Sequence, residues 1–240
     1  MFLSVHSRWL VSCGAALPKL IESVKDTGSV TAIDRDQNSL DFIQTQFSEQ
    51  LLAKTLRTKK VDLGHMPLPY LTNQFDRILC HNVIESIIDK TALLNECYRT
   101  LKPGGILLLS HHDFDTATYN SNFKTLNRKL IHLFCDSIQS WQDTSDGQIG
   151  RKLAQVIQKS RFKRPLKQET ILVQENSFVP NDYGYQLCGW ISVISKDAPD
   201  ISPAELEAWF TDLGKKDING EYYFSVNVMC VLAQKPKHTE

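Results

Sequence analysis

Two stretches of this sequence bring side chains capable of chemistry to the end of an apolar run. Ile106-Leu107-Leu108-Leu109 leads into Ser110-His111-His112-Asp113, and Ser29-Val30-Thr31-Ala32-Ile33 leads into Asp34. An imidazole with an unperturbed pKa of about 6.5 suits proton transfer at neutral pH, so His111 and His112 are candidate bases, with Asp113 a candidate carboxylate beside them. Asp34 has the form an open α/β sheet uses to hold a ribose, a short β-rich run delivering an acceptor for both hydroxyls. The plainer alternatives are an ordinary loop aspartate, and neighbouring histidines of which one faces the core and the other solvent.

These residues act only if regular elements place them. Phe2, Leu3, Val5, Trp9, Leu10 and Val11 make a β-compatible run before Ser12-Cys13-Gly14-Ala15-Ala16, and Leu17, Leu20, Ile21 and Val24 share one helical face. With the strand at Val30 they form a βαβ unit. Leu40, Phe42, Ile43, Phe47, Leu51 and Leu52 predict a second crossover helix, with Asn38 or Ser39 as its cap. A weak third strand lies around 60–63, a Pro-rich loop follows, and 75–80 reads as a fourth strand. From Ile84 onward a helical stretch continues through Leu93, Leu94, Cys97, Tyr98 and Leu101. Lys102-Pro103-Gly104-Gly105 ends it, since proline stops the helix and the glycines permit a turn into strand five. Residues 120–162 read as helical with a break near 143–147, 168–174 as a strand, Ser202-Pro203 as a capped helix start, and 222–233 as the last strand. The first half alternates strand and helix about five times, which argues an α/β fold with a doubly wound parallel sheet and ligands at the strands' C-terminal ends.

Composition narrows the partners. The 240 residues suffice for one substantial core, and 27 basic against 27 acidic side chains leave no field to attract nucleic acid or anionic lipid. A small, neutral substrate fits better. The basic cluster Lys159, Arg161, Lys163, Arg164 and Lys167 reads more simply as a solvated helix end than as an RNA contact. The six cysteines, at 13, 80, 97, 135, 188 and 230, show no metal-ligand spacing and read as free, mostly buried thiols, so no metal is expected. Neither a secretory signal nor a run of roughly 20 apolar residues is present, and the expected location is cytoplasmic.

Taken together, Ala32-Ile33-Asp34, Asp62-Leu63, Leu68-Pro69, Phe75-Asp76, Asn82-Val83-Ile84-Glu85 and Leu101-Lys102-Pro103-Gly104-Gly105 form a recognisable series. It resembles the class I S-adenosylmethionine-dependent methyltransferases, and among them the small-molecule group with a methyltransferase type 11 domain. The resemblance is strong over residues 9–115 and loose over the rest. It implies a Rossmann-like, seven-stranded, mostly parallel sheet with an antiparallel last strand and an insertion near 176–220. A single domain over 1–240 is implied, its cofactor half at 1–118 and its substrate side at 119–240. S-adenosylmethionine would be the cofactor. Asp34 would hold its ribose, Arg35 would flank the adenine, Asp62 would accept from the adenine amino group and Leu63 would cover it. His81 and Asn82 would meet the methionine portion, although Asn82 could equally cap a helix. Cys13, Gly14 and Ala16 lie in the first cofactor loop.

That loop departs from the family's D-x-G-x-G-x-G pattern: Leu10-Val11-Ser12-Cys13-Gly14-Ala15-Ala16 retains Gly14 alone and lacks the acid. The chain as given also begins about nine residues before it, where relatives carry a covering helix. On the acceptor side, Asp113-Phe114-Asp115-Thr116 with Tyr119 resembles a D-[FW]-D-T stretch of one subgroup. Asp115, Tyr119, Arg151, Tyr183 and Tyr185 would line the acceptor pocket, their aromatic faces suited to a planar or apolar molecule. The reaction expected is in-line methyl transfer to a small molecule, driven mainly by proximity, with a base needed only for a protonated acceptor. The alternative is an impaired, methyltransferase-like binding partner. A homodimer is compatible with either reading.

Overall fold

The computed structural model describes residues 8–11, 16–24, 28–139 and 142–237, the first four by backbone alone. The chain falls into two compact units, Met1–His111 with Lys152–Glu169 and Cys230–Glu240, and His112–Arg151 with Thr170–Met229. Its strands are β1 (Arg8–Val11), β2 (Ser29–Asp34), β3 (Leu56–Lys60), β4 (Phe75–His81), β5 (Leu101–Tyr119), β6 (Lys167–Glu175) and β7 (Phe224–Gln234). They hydrogen-bond in the order β3-β2-β1-β4-β5-β7-β6. β1 runs parallel to β2 and β4, β2 to β3, and β4 to β5. β7 runs the other way: Gly104 N–H donates to Lys235 O at one end of β5, and Asn120 N–H donates to Tyr223 O at the other. The result is a Rossmann-like α/β fold with a mixed sheet.

In the first unit, helices α1 (Leu17–Val24), α2 (Gln37–Gln46), α3 (Ser48–Leu52) and α4 (Lys90–Thr100) supply the crossovers. Leu17, Val30 and Leu56 lose nearly all their exposed surface in one apolar cluster, each contributing about 1.5–3 kcal/mol of burial. Local chemistry alters several sequence expectations. The α2 cap is Asp36, whose carboxylate accepts from the N–H groups of Asn38 and Ser39, so those residues are capped rather than capping. The expected single helix over 40–52 breaks at Phe47 into α2 and α3. β3 ends at Lys60, leaving Asp62 beyond the strand. Residues Ile84–Ser86 form a separate 3-10 turn, and α4 starts afresh behind its cap Asp89, which accepts from Ala92 N–H. The Pro-Gly-Gly turn survives as a bulge inside β5: register jumps from Phe75↔Leu101 to Arg77↔Ile106, and Gly104 sits at φ +78.

The second unit packs α5 (Lys124–Asp136), α7 (Tyr183–Ser195) and α8 (Pro203–Ile218) around Trp209, Leu187, Ile191 and Phe224; α6 (Leu153–Lys159) belongs to the first. α8 begins as expected, with Pro203 after a Ser202–Glu205 capping box. Gly184 lets α7 approach β7, since a Cβ there would stand 2.7 Å from the Phe224 ring.

Candidate functional site

The parallel register of the first unit collects polar residues at the strands' C-terminal ends. Asp34 is the last residue of β2, and one of its oxygens, Oδ1, accepts from Asp36 N–H at 2.8 Å. Its second oxygen accepts nothing among the described residues. Past β3, Asp62 accepts from Gly64 N–H at 2.8 Å and faces His65 Nδ1 at 3.0 Å. The Gly64 N–H chiefly holds this carboxyl below its ordinary range; burial opposes, while His65 and the charge of Arg35 assist. Leu63 lines a small apolar cavity with Ile33, Leu68, Leu79 and Leu93. Ala16 packs beside α1 on the same unit's core, whereas Cys13 and Gly14 lie outside the described residues.

The ends of β4 and β5 lie abreast, His81 opposite Ser110. His81 Nδ1 is 2.9 Å from Ser110 Oγ, and Asn82 N–H donates to Ser110 O from a left-handed backbone at φ +49, which asparagine tolerates. The 3-10 turn that follows has Val83, not Asn82, at its N-cap position. Burial, reinforced by the charge of His111, pushes the His81 imidazole down to about 4, with Glu85 opposing. His111 itself is fully buried, and its Nε2 lies 2.7 Å from Oε2 of Glu85, which is also buried. Burial pushes the Glu85 carboxyl up, but the bond and charge from His111, with the N–H groups of Glu85 and Ser86, outweigh it, and the net direction is down.

In the second unit His112 is buried between rings, stacked 4.4 Å from Tyr183 and 5.7 Å from Phe114. Neither histidine faces solvent, so the expectation of one inward and one outward ring fails. Asp113, 1% exposed, receives a two-pronged grip from Arg151, Nε to Oδ2 at 2.6 Å and the second nitrogen to Oδ1 at 2.8 Å. Arg151 also reaches Asp115 at 3.2 Å, where Gln148 donates as well. Gly150 leaves room for this approach: a Cβ there would meet Asp113 at 3.2 Å. Asp113, Asp115 and Arg151 are thus brought together, as are His112 and Tyr183. Tyr119, read from the sequence as acceptor wall, is buried with its hydroxyl donating to Gly184 O at 2.8 Å, and serves the packing of β5 on α7. Tyr185 sits in a second aromatic group with Phe178 and Phe210.

Glu85 is the residue that sequence reasoning named in a motif but gave no role. The available signal was a carboxylate just after strand four and a histidine ending strand five, because parallel neighbours bring such positions together.

Residues 11–109 match the family model described as a methyltransferase domain. The fold is that of the class I S-adenosylmethionine-dependent methyltransferases. Among curated proteins, a ubiquinone biosynthesis O-methyltransferase of Psychrobacter cryohalolentis is 31% identical over 101 residues, 42% of this chain and 38% of that protein. A namesake from Xanthomonas oryzae pv. oryzae is 35% identical over 102 residues, 42% of this chain and 40% of its own length. The chain thus spans about two fifths of the length of the curated relatives it matches. Among solved structures, the [4+2]-cyclase SpnF aligns with a TM-score of 0.54 at 17% identity over 97% of this chain and 76% of its own. Phosphoethanolamine N-methyltransferase 2 of Haemonchus contortus, with S-adenosyl-L-methionine bound, aligns at 0.52 and 17% identity over 98% of this chain and 50% of its own. These structural likenesses carry the fold alone, since one of the two proteins is named for a cyclisation.

Proposed function

We propose that this chain is an enzyme that transfers a methyl group from S-adenosylmethionine to a small-molecule acceptor. The observation that carries the reading is Asp34, a carboxylate at the end of β2 with one oxygen fixed by Asp36 N–H and the other available to a hydroxyl pair. The donor set around it suits the same cofactor: Asp62, held ionised, can accept from the adenine amino group, Leu63 offers apolar cover, and His81 and Asn82 stand at the end of β4, two strands along the sheet. When bound, the cofactor supplies an electrophilic methyl on a sulfonium.

The chain's own part is to orient the acceptor and, where that acceptor is protonated, to take its proton. His111 is the base in this reading. Glu85, 2.7 Å from its Nε2, holds the ring in place. Asp113 is a positioning residue, because both its oxygens are gripped by Arg151. The first unit is the cofactor half, and Asp115, Arg151, Tyr183 and Tyr185 recognise the acceptor, the stacked His112–Tyr183 pair favouring a planar one. A reducing, cytoplasmic setting belongs to this reading, and Cys97, Cys135, Cys188 and Cys230 form no disulfide among the described residues. No helix among the described residues is long and apolar enough to cross a membrane.

Calorimetry with S-adenosylmethionine and its demethylated product tests the proposal. Measurable binding is expected, and Asp34→Ala should weaken it by about 1–3 kcal/mol with folding intact. No heat at millimolar ligand would overturn the enzyme reading in favour of a methyltransferase-like binding partner.

A further inference from the structure

The sheet ends on β6, and no strand among the described residues pairs with its outer edge. β6 is nine residues long and reads Lys-Gln-Glu-Thr-Ile-Leu-Val-Gln-Glu. Successive residues of a strand point to opposite faces, so Ile171, 50% exposed, and Leu172, 55% exposed, leave apolar surface on both sides of the strand. Edges that must stay in water are normally kept short or blunted by proline or a central charge. β6 has no proline, and its centre, Thr170-Ile171-Leu172-Val173, is uncharged.

We infer that β6 is the docking edge for a second copy of this chain, pairing antiparallel with itself about a two-fold axis through Ile171. Residues opposite one another in such a pair share a face of the sheet, so the axis passes through a residue and not between two. An axis through Leu172 would set Glu169 against Glu175 of the second copy, like charge on like charge. An axis through Thr170 would set Lys167 against Val173. Through Ile171, Lys167 meets Glu175 at both ends, Gln168 meets Gln174, and Ile171 meets itself. In this register Glu169 stands opposite Val173, but it alone pairs all nine residues and sets opposite charges against each other at both ends.

The end groups are suited to the exchange. Glu175 is held in place by the N–H groups of Tyr183 and Gly184, at 2.8 and 2.7 Å, and each oxygen keeps capacity for an ammonium. Lys167 leans along its own strand to Glu169, an exposed pair of small worth, so redirecting it costs little. Two nine-residue edges make a small interface, and the dimer is correspondingly weak and concentration-dependent.

Sedimentation equilibrium of the full chain from micromolar to submillimolar concentration tests this. The wild type should pass from monomer to dimer, and Ile171→Lys, which puts two ammonium groups on the axis, should raise the dissociation constant about tenfold or more. Ile171 is half exposed, so that variant should keep its thermal unfolding midpoint. A register-specific check follows from disulfide reach: under oxidation Ile171→Cys should cross-link to its own copy and Glu169→Cys should not. A wild type that stays monomeric throughout, a dimer unaffected by Ile171→Lys, or equal cross-linking at 169 and 171 would each overturn the proposal.

Discussion

Two residues apart on β5, His111 and Asp113 each sit in a buried acid–base pair, one in each unit, and the pairs are built oppositely. His111 and Glu85 are both withdrawn from water, with side chains 0% and 6% exposed, and the basic member is a residue type with a neutral form. Asp113 is equally withdrawn, but its partner Arg151 is 41% exposed and stays charged at every accessible pH. The difference lies in what remains when one partner is lost. An imidazole left alone becomes neutral, whereas a carboxylate left alone must keep its charge in a poor solvent or take up a proton.

The sharpest way to break this comparison is Arg151→Ala. It strands the Asp113 carboxylate, and the expected loss is about 3–4 kcal/mol of unfolding free energy in urea, near the low end for a broken buried pair because water enters where the exposed guanidinium stood. A loss below about 1 kcal/mol would mean that Arg151 contributes no more than a surface pair.

On the other side of the comparison, the His111–Glu85 pair leaves its mark on His81. Its folded pKa is about 4 against an ordinary 6.5, so between those values the unfolded chain binds more protons. Stability contributed by neutral His81 is complete above pH 6.5 and falls by about 3 kcal/mol as pH drops to 4. Glu85, whose carboxyl is shifted down, loses its share only at lower pH still. Urea unfolding measured across this window should show the slope, and His81→Gln should remove most of it. An unchanged slope in that variant would assign the titration to other groups.

The two pairs were unequally legible in the sequence. Asp34 could be found because a β-rich run ending in an acid carries both the element and its terminus, and Ser202-Pro203 because a cap is a local device. Asp36 is hard to pick out as the α2 cap because three candidates stand within four residues, at positions 36, 38 and 39, and only backbone geometry selects among them. The Glu85–His111 contact spans 26 residues and needs the β4–β5 register, which a pattern of strands suggests without fixing. Arg151 meets Asp113 across 38 residues by way of a 3-10 turn, an irregular path with no periodicity to read. The stack of His112 on Tyr183 has the same origin: each residue was marked separately, and only packing joins them.

The smallest effect is the most discriminating. Glu85→Gln keeps an oxygen that can accept from His111 Nε2 but removes the charge, so a charge-assisted bond becomes a neutral one. The expected cost is about 1–2 kcal/mol, well short of Arg151→Ala. Removing the carboxylate also removes the influence that opposes burial on His81, so the acid limb of the stability profile should extend to lower pH. A cost matching that of Arg151→Ala would show that His111 stays protonated inside the fold. The two pairs would then be alike, both permanent ion pairs, and His111 could not serve as the base.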